Sequence, residues 1–238
     1  MAHKKTLTAL TAIVRRLIDE ATASRWTAAN VTAAINEAKD RVFNAVRGER
    51  DDYFYATIES DDAPSTILGE TYTPTTSLAV TVGGTTLMLP HNCVEVRVIE
   101  TITSGKEFVT WRALDVTHPD FRAALAVTGN VGPSELLFDV QNERTVRYAP
   151  KSDTALDIRL HYIFQPADLS AGADELQMPY PLEWAVVYFA CASLMLQDDS
   201  PTAAAFENRA RQYINEVLGV AQRQTQDTVV SLGVFEDL

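Results

Sequence analysis

Two short runs carry the residue types from which an enzyme would be built. His91-Asn92-Cys93 sets a thiol two residues from an imidazole, the minimum for a cysteine nucleophile with a nearby base. The run sits in an apparent loop ahead of a strand, where a partly buried structural thiol is the plainer reading. His118-Pro119-Asp120 reads as a turn followed by a helix whose N-cap is Asp120. The imidazoles of His91, His118 and His161 fall on different elements, and no pair has the i, i+4 spacing of a helical metal site. Gly83-Gly84 is too short for a phosphate loop and suits a tight turn. The adjacent acids Asp51-Asp52 and Asp198-Asp199 are expected to be solvated or capping. The expectation is therefore no enzyme, no catalytic residue, no metal and no cofactor. An enzyme using Cys93 and His91 is the alternative.

His118-Pro119-Asp120 also matches the tripeptide of the J-domain cochaperones. That motif needs a basic helix before it, and a strand-like segment precedes it here.

The elements around these residues change period along the chain. Leu7, Leu10, Val14, Leu17 and Ile18 mark one face of an opening helix. Thr27 is an N-cap for a second helix carrying Val31, Ile35, Ala38, Val42 and Val46, which ends near Gly48. An acidic connection from Glu49 to Glu70 follows, with an extended piece at Tyr53 to Ile58. A period of two then takes over. A hairpin closed at Gly83-Gly84 pairs Val80 with Leu87 and Leu78 with Leu89. Val94, Val96 and Val98 alternate, and Ser104-Gly105 marks a turn. Phe121 to Ala126 is a short helix candidate. Leu137 to Val140 and Thr145 to Tyr148 flank a turn at Asn142-Glu143, and the alternation from Leu156 to Phe164 describes a strand with one wet face.

Pro179 and Pro181 introduce a helix from about Leu182 to Gln197 that is apolar nearly all round. It is either the buried centre of one domain or, through Val187, Phe189 and Leu194, partly an interface with another subunit. Asp199-Ser200-Pro201 starts a last helix that runs to about Gln222 and buries Phe206, Ala210, Tyr213, Ile214 and Val217. Residues 225–238 carry three acids and no Lys or Arg, yet Val229, Val230, Leu232, Val234 and Phe235 make them too apolar for a solvated tail. The fold class is α+β: a helical bundle of two N-terminal and two C-terminal helices (1–50 and 178–223), an inserted antiparallel β region (74–166) and an extended C-terminal arm (224–238).

Charge and composition narrow the function classes. The 238 residues hold 32 acids against 20 Lys and Arg, a formal charge of −12, which disfavours tight binding to phosphate backbones. The two cysteines, Cys93 and Cys191, are too few for a disulfide framework and point to a reducing compartment. The opening residues are amphipathic, unlike a signal-peptide core. The most apolar stretch is shorter than the roughly 20 residues of a membrane span, so no membrane is expected and a cytoplasmic setting is.

The order of these features resembles the head-to-tail adaptor (connector) proteins of tailed bacteriophages. The likeness lies in the opening helix, Trp26-Thr27, the helix with Ile35-Asn36-Glu37-Ala38, the β insert ending in Tyr162-x-x-x-Pro166, Leu176-x-x-Pro179 before the apolar helix, and Asp199-Ser200-Pro201. It covers nearly the whole chain, with a longer β insert than in the smallest members. The resemblance implies a structural protein of the virion neck, present in the host cytoplasm before assembly. It implies copies of itself in a twelvefold ring under the portal protein, with a tail or nozzle protein below. DNA passes through the lumen without specific binding. It further implies a C-terminal arm, here Val229 to Phe235, contacting the portal or a neighbour. Asp51, Asp52, Asp61 and Asp62 are candidate lumen acids. A tail-completion or assembly factor of another type is a second alternative.

Overall fold

The computed structural model describes residues 4–20, 25–67, 70–102, 108–127, 136–142, 144–152, 154–197 and 200–232, the last thirteen of them by backbone alone. The chain divides into two units, one from residues 1–53 and 166–238 and the other from 54–165.

In the helical unit, Thr6 Oγ1 accepts from Ala9 N and opens α1 (Leu7–Leu17). Thr27 caps α2 (Ala28–Arg47) as expected, its hydroxyl accepting from Asn30 N at 3.2 Å. Glu20 ties the connection between them, accepting from Trp26 N at 2.8 Å while pairing with Arg15 at 3.2 Å. The apolar helix is α5 (Tyr180–Leu196), and α6 (Ala203–Leu232) follows it. α5 packs against α1, α2 and α6, which explains its lack of a polar face. Leu10, Val14, Val31, Ile35, Val186 and Leu194 are fully buried in this unit. On α6, Ala210, Ile214 and Val217 are buried while Phe206 and Tyr213 are half-buried, both stacked on Tyr188.

Two expectations for the last helix change. α6 starts at Ala203, whose N–H donates to Ser200 O at 3.1 Å; Asp199 lies outside the described residues. It then runs to Leu232, so residues 224–232 are helical and not an extended arm. No proline follows Pro201, and after Gly219 the next glycine is Gly233, so nothing in the backbone stops the helix at Gln222.

The β unit begins at Phe54, well ahead of residue 74, because β1 (Tyr55–Glu59) pairs with β10 (Asp157–Phe164). One sheet has the order β1-β10-β5-β6, with β5 at Cys93–Ile102 and β6 at Phe108–Thr110. A second runs β4-β9-β8-β7, with β4 at Thr86–Met88, β7 at Arg112–Ala113, β8 at Leu137–Gln141 and β9 at Thr145–Ala149. A small pair, β2 (Ser65–Ile67) and β3 (Glu70–Tyr72), and two helices, α3 (Pro74–Ser77) and α4 (Pro119–Ala126), complete it. Both sheets contribute to one core that includes Ile99, Trp111, Tyr148, Ile158 and Leu160.

The turn at Asn142 is present with a φ of 58°, and its arms β8 and β9 pair as read. The Gly83-Gly84 hairpin is not. A turn does form there, with Gly83 at a φ of 73° and Gly84 N donating to Thr81 O at 2.9 Å. Its arms diverge: Leu87 pairs with Val146, Val80 bridges to Leu156, and Leu78 ends α3. All four side chains still enter the same core, so the period found the buried face and missed the partners. The region is also not wholly antiparallel. β7 and β8 pair in parallel, the connection between them carrying α4. In β5 the register slips opposite His161/Tyr162, so Val98 faces His161 on the outer side while Ile99 and Thr101 are buried. The Ser104-Gly105 turn lies outside the described residues.

Candidate assembly surface

The two sequence runs with catalytic residue types do not form catalytic constellations. Burial pushes the Cys93 thiol up to about 12, so it stays protonated and a poor nucleophile at neutral pH. His91 Nε2 lies 2.7 Å from an Arg144 guanidinium nitrogen, which only donates, so that nitrogen accepts and is occupied. His118, not Asp120, caps α4: its Nδ1 accepts from Asp120 N at 3.2 Å, because Pro119 takes the first helical position. Among the described residues no three His, Cys, Asp or Glu side chains are grouped to hold a metal ion. No described helix is long and apolar enough to cross a membrane.

Two of the four acids suggested for a lumen have local work. Arg50 grips Asp52 through two hydrogen bonds of 2.7 and 2.8 Å and holds its carboxyl below the usual range. Asp62 Oδ2 accepts from Glu59 N at 2.7 Å and closes the turn after β1. Asp61 is exposed, and Asp51 opens a single 3-10 turn, Asp51–Phe54.

The three side chains suggested for a subunit interface are not surface residues. Val187, Phe189 and Leu194 are at most 4% exposed, because α1, α2 and α6 surround α5 within the chain itself. The apolar side chains that α5 does expose lie at its ends, Tyr180 at 57% and Leu196 at 70%. Lys5 Nζ stands over the rings of Tyr180 and Trp184 at 4.9 and 4.8 Å, so that end is a cation–π cluster as well as an apolar one.

α6 is the longest helix among the described residues. At about 1.5 Å per residue, α5 spans roughly 25 Å and α6 roughly 45 Å. The last buried side chain described on α6 is Val217. The helix continues to Leu232, carrying the backbone of Val229, Val230 and Leu232; Val234 and Phe235 lie outside the described residues.

The family model of the SU10 adaptor protein matches residues 5–232. The chain belongs to the SU10 adaptor protein family. It is a phage structural adaptor, a virion component that works through other phage structural proteins and through copies of itself. No curated protein matches the chain. The match to the adaptor family spans both units and stops at Leu232, the last residue of α6.

The residues that hold this adaptor's helical unit together were not singled out in the sequence. Asn36 and Lys39 on α2 grip the chain at 166–169: Lys39 Nζ donates to Pro166 O at 2.9 Å and to Asp168 Oδ1 at 2.5 Å. Glu183 on α5 accepts from Lys5 at both its oxygens. The signal was available. Lys39 falls four after Ile35 and three before Val42, on the apolar stripe, and Glu183 interrupts an otherwise apolar helix. A charge at such a position is buried and must be paired.

Proposed function

We propose that the adaptor forms a twelvefold ring under the capsid portal and continues the DNA channel toward a tail or nozzle protein, in the neck of the virion. The observation that carries this reading is the family match over both units. The formal charge of −12 supports it, since an acidic wall repels phosphate and lets DNA slide past without trapping it. Asp61 and Asp62, exposed after β1, are the better candidates for such a wall. Asp52 is already neutralised by Arg50.

The C-terminal end of α6 and the residues after it are the element assigned to the portal or a neighbouring subunit, through Val229, Val230, Leu232, Val234 and Phe235. Because residues up to Leu232 are helical, a helix laid in a groove suits them better than strand addition. Contacts between copies fall to side chains left exposed, such as Tyr180 and Leu196, and not to the buried face of α5.

Light scattering of the protein alone and mixed with its cognate portal protein tests the reading. The expected result is a large complex on mixing, weakened at least tenfold when residues 225–238 are deleted. A chain that stays monomeric in both samples overturns it. Portal binding that survives the deletion unchanged overturns the role of the helix end.

A further inference from the structure

The β unit contains a cavity that assembly of the core does not explain. It measures about 310 Å³ and is lined by His91, Asn92, Cys93, Val94, Arg144 and Gln165, which come from the turn before β5 and its first two residues, the residue before β9 and the residue after β10. That volume is at the lower end of ligand pockets, roughly 300–1,000 Å³. It has room for one side chain and its flanking amides but not for a helix.

Two groups define what the cavity can hold. Asn92 Oδ1 is buried and accepts no hydrogen bond within the structure. Such acceptors are few in folded chains, and a donor is needed to satisfy this one. Arg144 donates to His91 Nε2 at 2.7 Å and forms no ion pair with a described carboxylate. Its guanidinium has further N–H groups to give, in a fork that fits a carboxylate. Cys93, half-buried and protonated, supplies a neutral wall. The complement of an orphaned acceptor beside a cationic fork is an N–H donor beside a carboxylate.

We propose that this cavity seats an acidic peptide segment of a partner protein, one main-chain N–H donating to Asn92 Oδ1 and the carboxylate accepting from Arg144. A free carboxylate such as acetate would engage Arg144 and leave Asn92 unsatisfied, whereas a peptide carries both groups on one chain. That the occupant is a protein rests on the adaptor reading.

The test uses the full chain and the side-chain amide resonance of Asn92. The probe is the blocked tripeptide acetyl-Gly-Asp-Gly-amide, compared with its Asn counterpart, acetate and inorganic phosphate. The expected result is a saturable shift with the Asp peptide and binding at least tenfold weaker for the Asn peptide, acetate and phosphate. Arg144→Gln is expected to weaken the Asp peptide by about tenfold or more, the order of one charge-assisted hydrogen bond. If that variant does not fold, Asn92→Asp keeps the size, repels the carboxylate and is expected to weaken binding as much, followed there at the backbone amide of Cys93 because the variant has no side-chain amide at 92. Absence of a saturable shift overturns the proposal, as does equal binding of acetate or phosphate, which would mean an anion site only. A chain that binds the peptide but never joins the portal would sink the ring and leave the cavity's role standing.

Discussion

Asn36 holds the backbone of Leu169 on both sides: its Nδ2 donates to Leu169 O at 3.0 Å and its Oδ1 accepts from Leu169 N at 2.9 Å. A side-chain amide thus acts as a strand partner for a segment that has no strand. Leu169 is buried, so its peptide groups have no water to fall back on. Asn36→Ala removes both bonds and is expected to cost about 2 kcal/mol, near 1 kcal/mol for each. The local reading is sharper than the global one. Hydrogen exchange at the Leu169 amide is expected to quicken at least tenfold, and an unchanged rate would mean that the segment is held by Lys39 alone.

The buried thiols and phenols give the protein an alkaline limit. Burial pushes Cys93, Cys191, Tyr148 and Tyr162 up to about 12, and raises Tyr72 as well. The raised values favour the protonated forms in the folded state. Their contribution to stability is therefore complete below the ordinary values of 9.0 for thiols and 10.0 for phenols, and is lost as pH climbs toward about 12. Each group that ionises only on unfolding adds a slope of about 1.4 kcal/mol per pH unit. Urea midpoints are expected to stay level from pH 7 to about pH 8.5 and to fall steeply above it. At pH 8 Ellman's reagent should modify Cys93 at least a hundredfold more slowly than in the unfolded chain. A fast reaction in the native protein would reopen the nucleophile reading of Cys93 and His91.

The sequence exposes local events and hides long-range partners. The start of α2 at Thr27, the turn at Asn142 and the span of α5 were legible because each depends on residues within a few positions of one another. The divergence of Val80 and Leu87 was not, since alternation names the buried face and says nothing about which strand arrives beside it. The slip in β5 that turns Val98 outward depends on β10, about sixty residues away in the chain. The surroundings of Val187, Phe189 and Leu194 were hidden for the same reason: an all-apolar helix must be covered, and only the fold shows that α1, α2 and α6 cover it within the chain. Arg144 was not legible beside His91, because the two are joined by β4 and β9 and not by spacing.

Gly84 and Gly48 should respond in opposite ways to the same substitution. A Cβ on Gly84 would lie 2.6 Å from Thr81 Oγ1 and 2.8 Å from the Tyr148 hydroxyl. Tyr148 is fully buried with its ring tilted against Trp111 at 5.5 Å between centroids, so it has no room to withdraw. Gly84→Ala is expected to destabilise the β unit by about 1–3 kcal/mol, as overpacked cores do. Gly48 follows α2 with ordinary helical angles, and its added Cβ meets nothing within 4 Å. Gly48→Ala is expected to stabilise by about 0.4–1 kcal/mol through the unfolded chain. Thermal unfolding followed by tryptophan fluorescence separates the two, and a Gly84→Ala protein that melts at the native temperature would mean that the turn shifts freely.

Lys5 and Glu183 form the most consequential ion pair of the helical unit. Glu183 is 1% exposed, and Lys5 meets it twice, through Nζ at 2.5 Å and its backbone N–H at 3.2 Å. The Lys5 side chain also covers Tyr180 and Trp184. Lys5→Ala leaves a buried carboxylate with one neutral donor and is expected to cost about 3–5 kcal/mol. Removing both charges is a different experiment. A Lys5→Met, Glu183→Leu double variant replaces the pair with apolar groups of similar length and needs no desolvation of charge, so it is expected to recover most of that loss. Urea unfolding of the two single variants and the double one gives the coupling directly. Additive losses would show that Glu183 is served by solvent, and that residues 5 and 6 are fastened to the segment ahead of α5 by the bridge of Thr6 to Glu175 and the Leu176 N–H to Lys5 O bond instead.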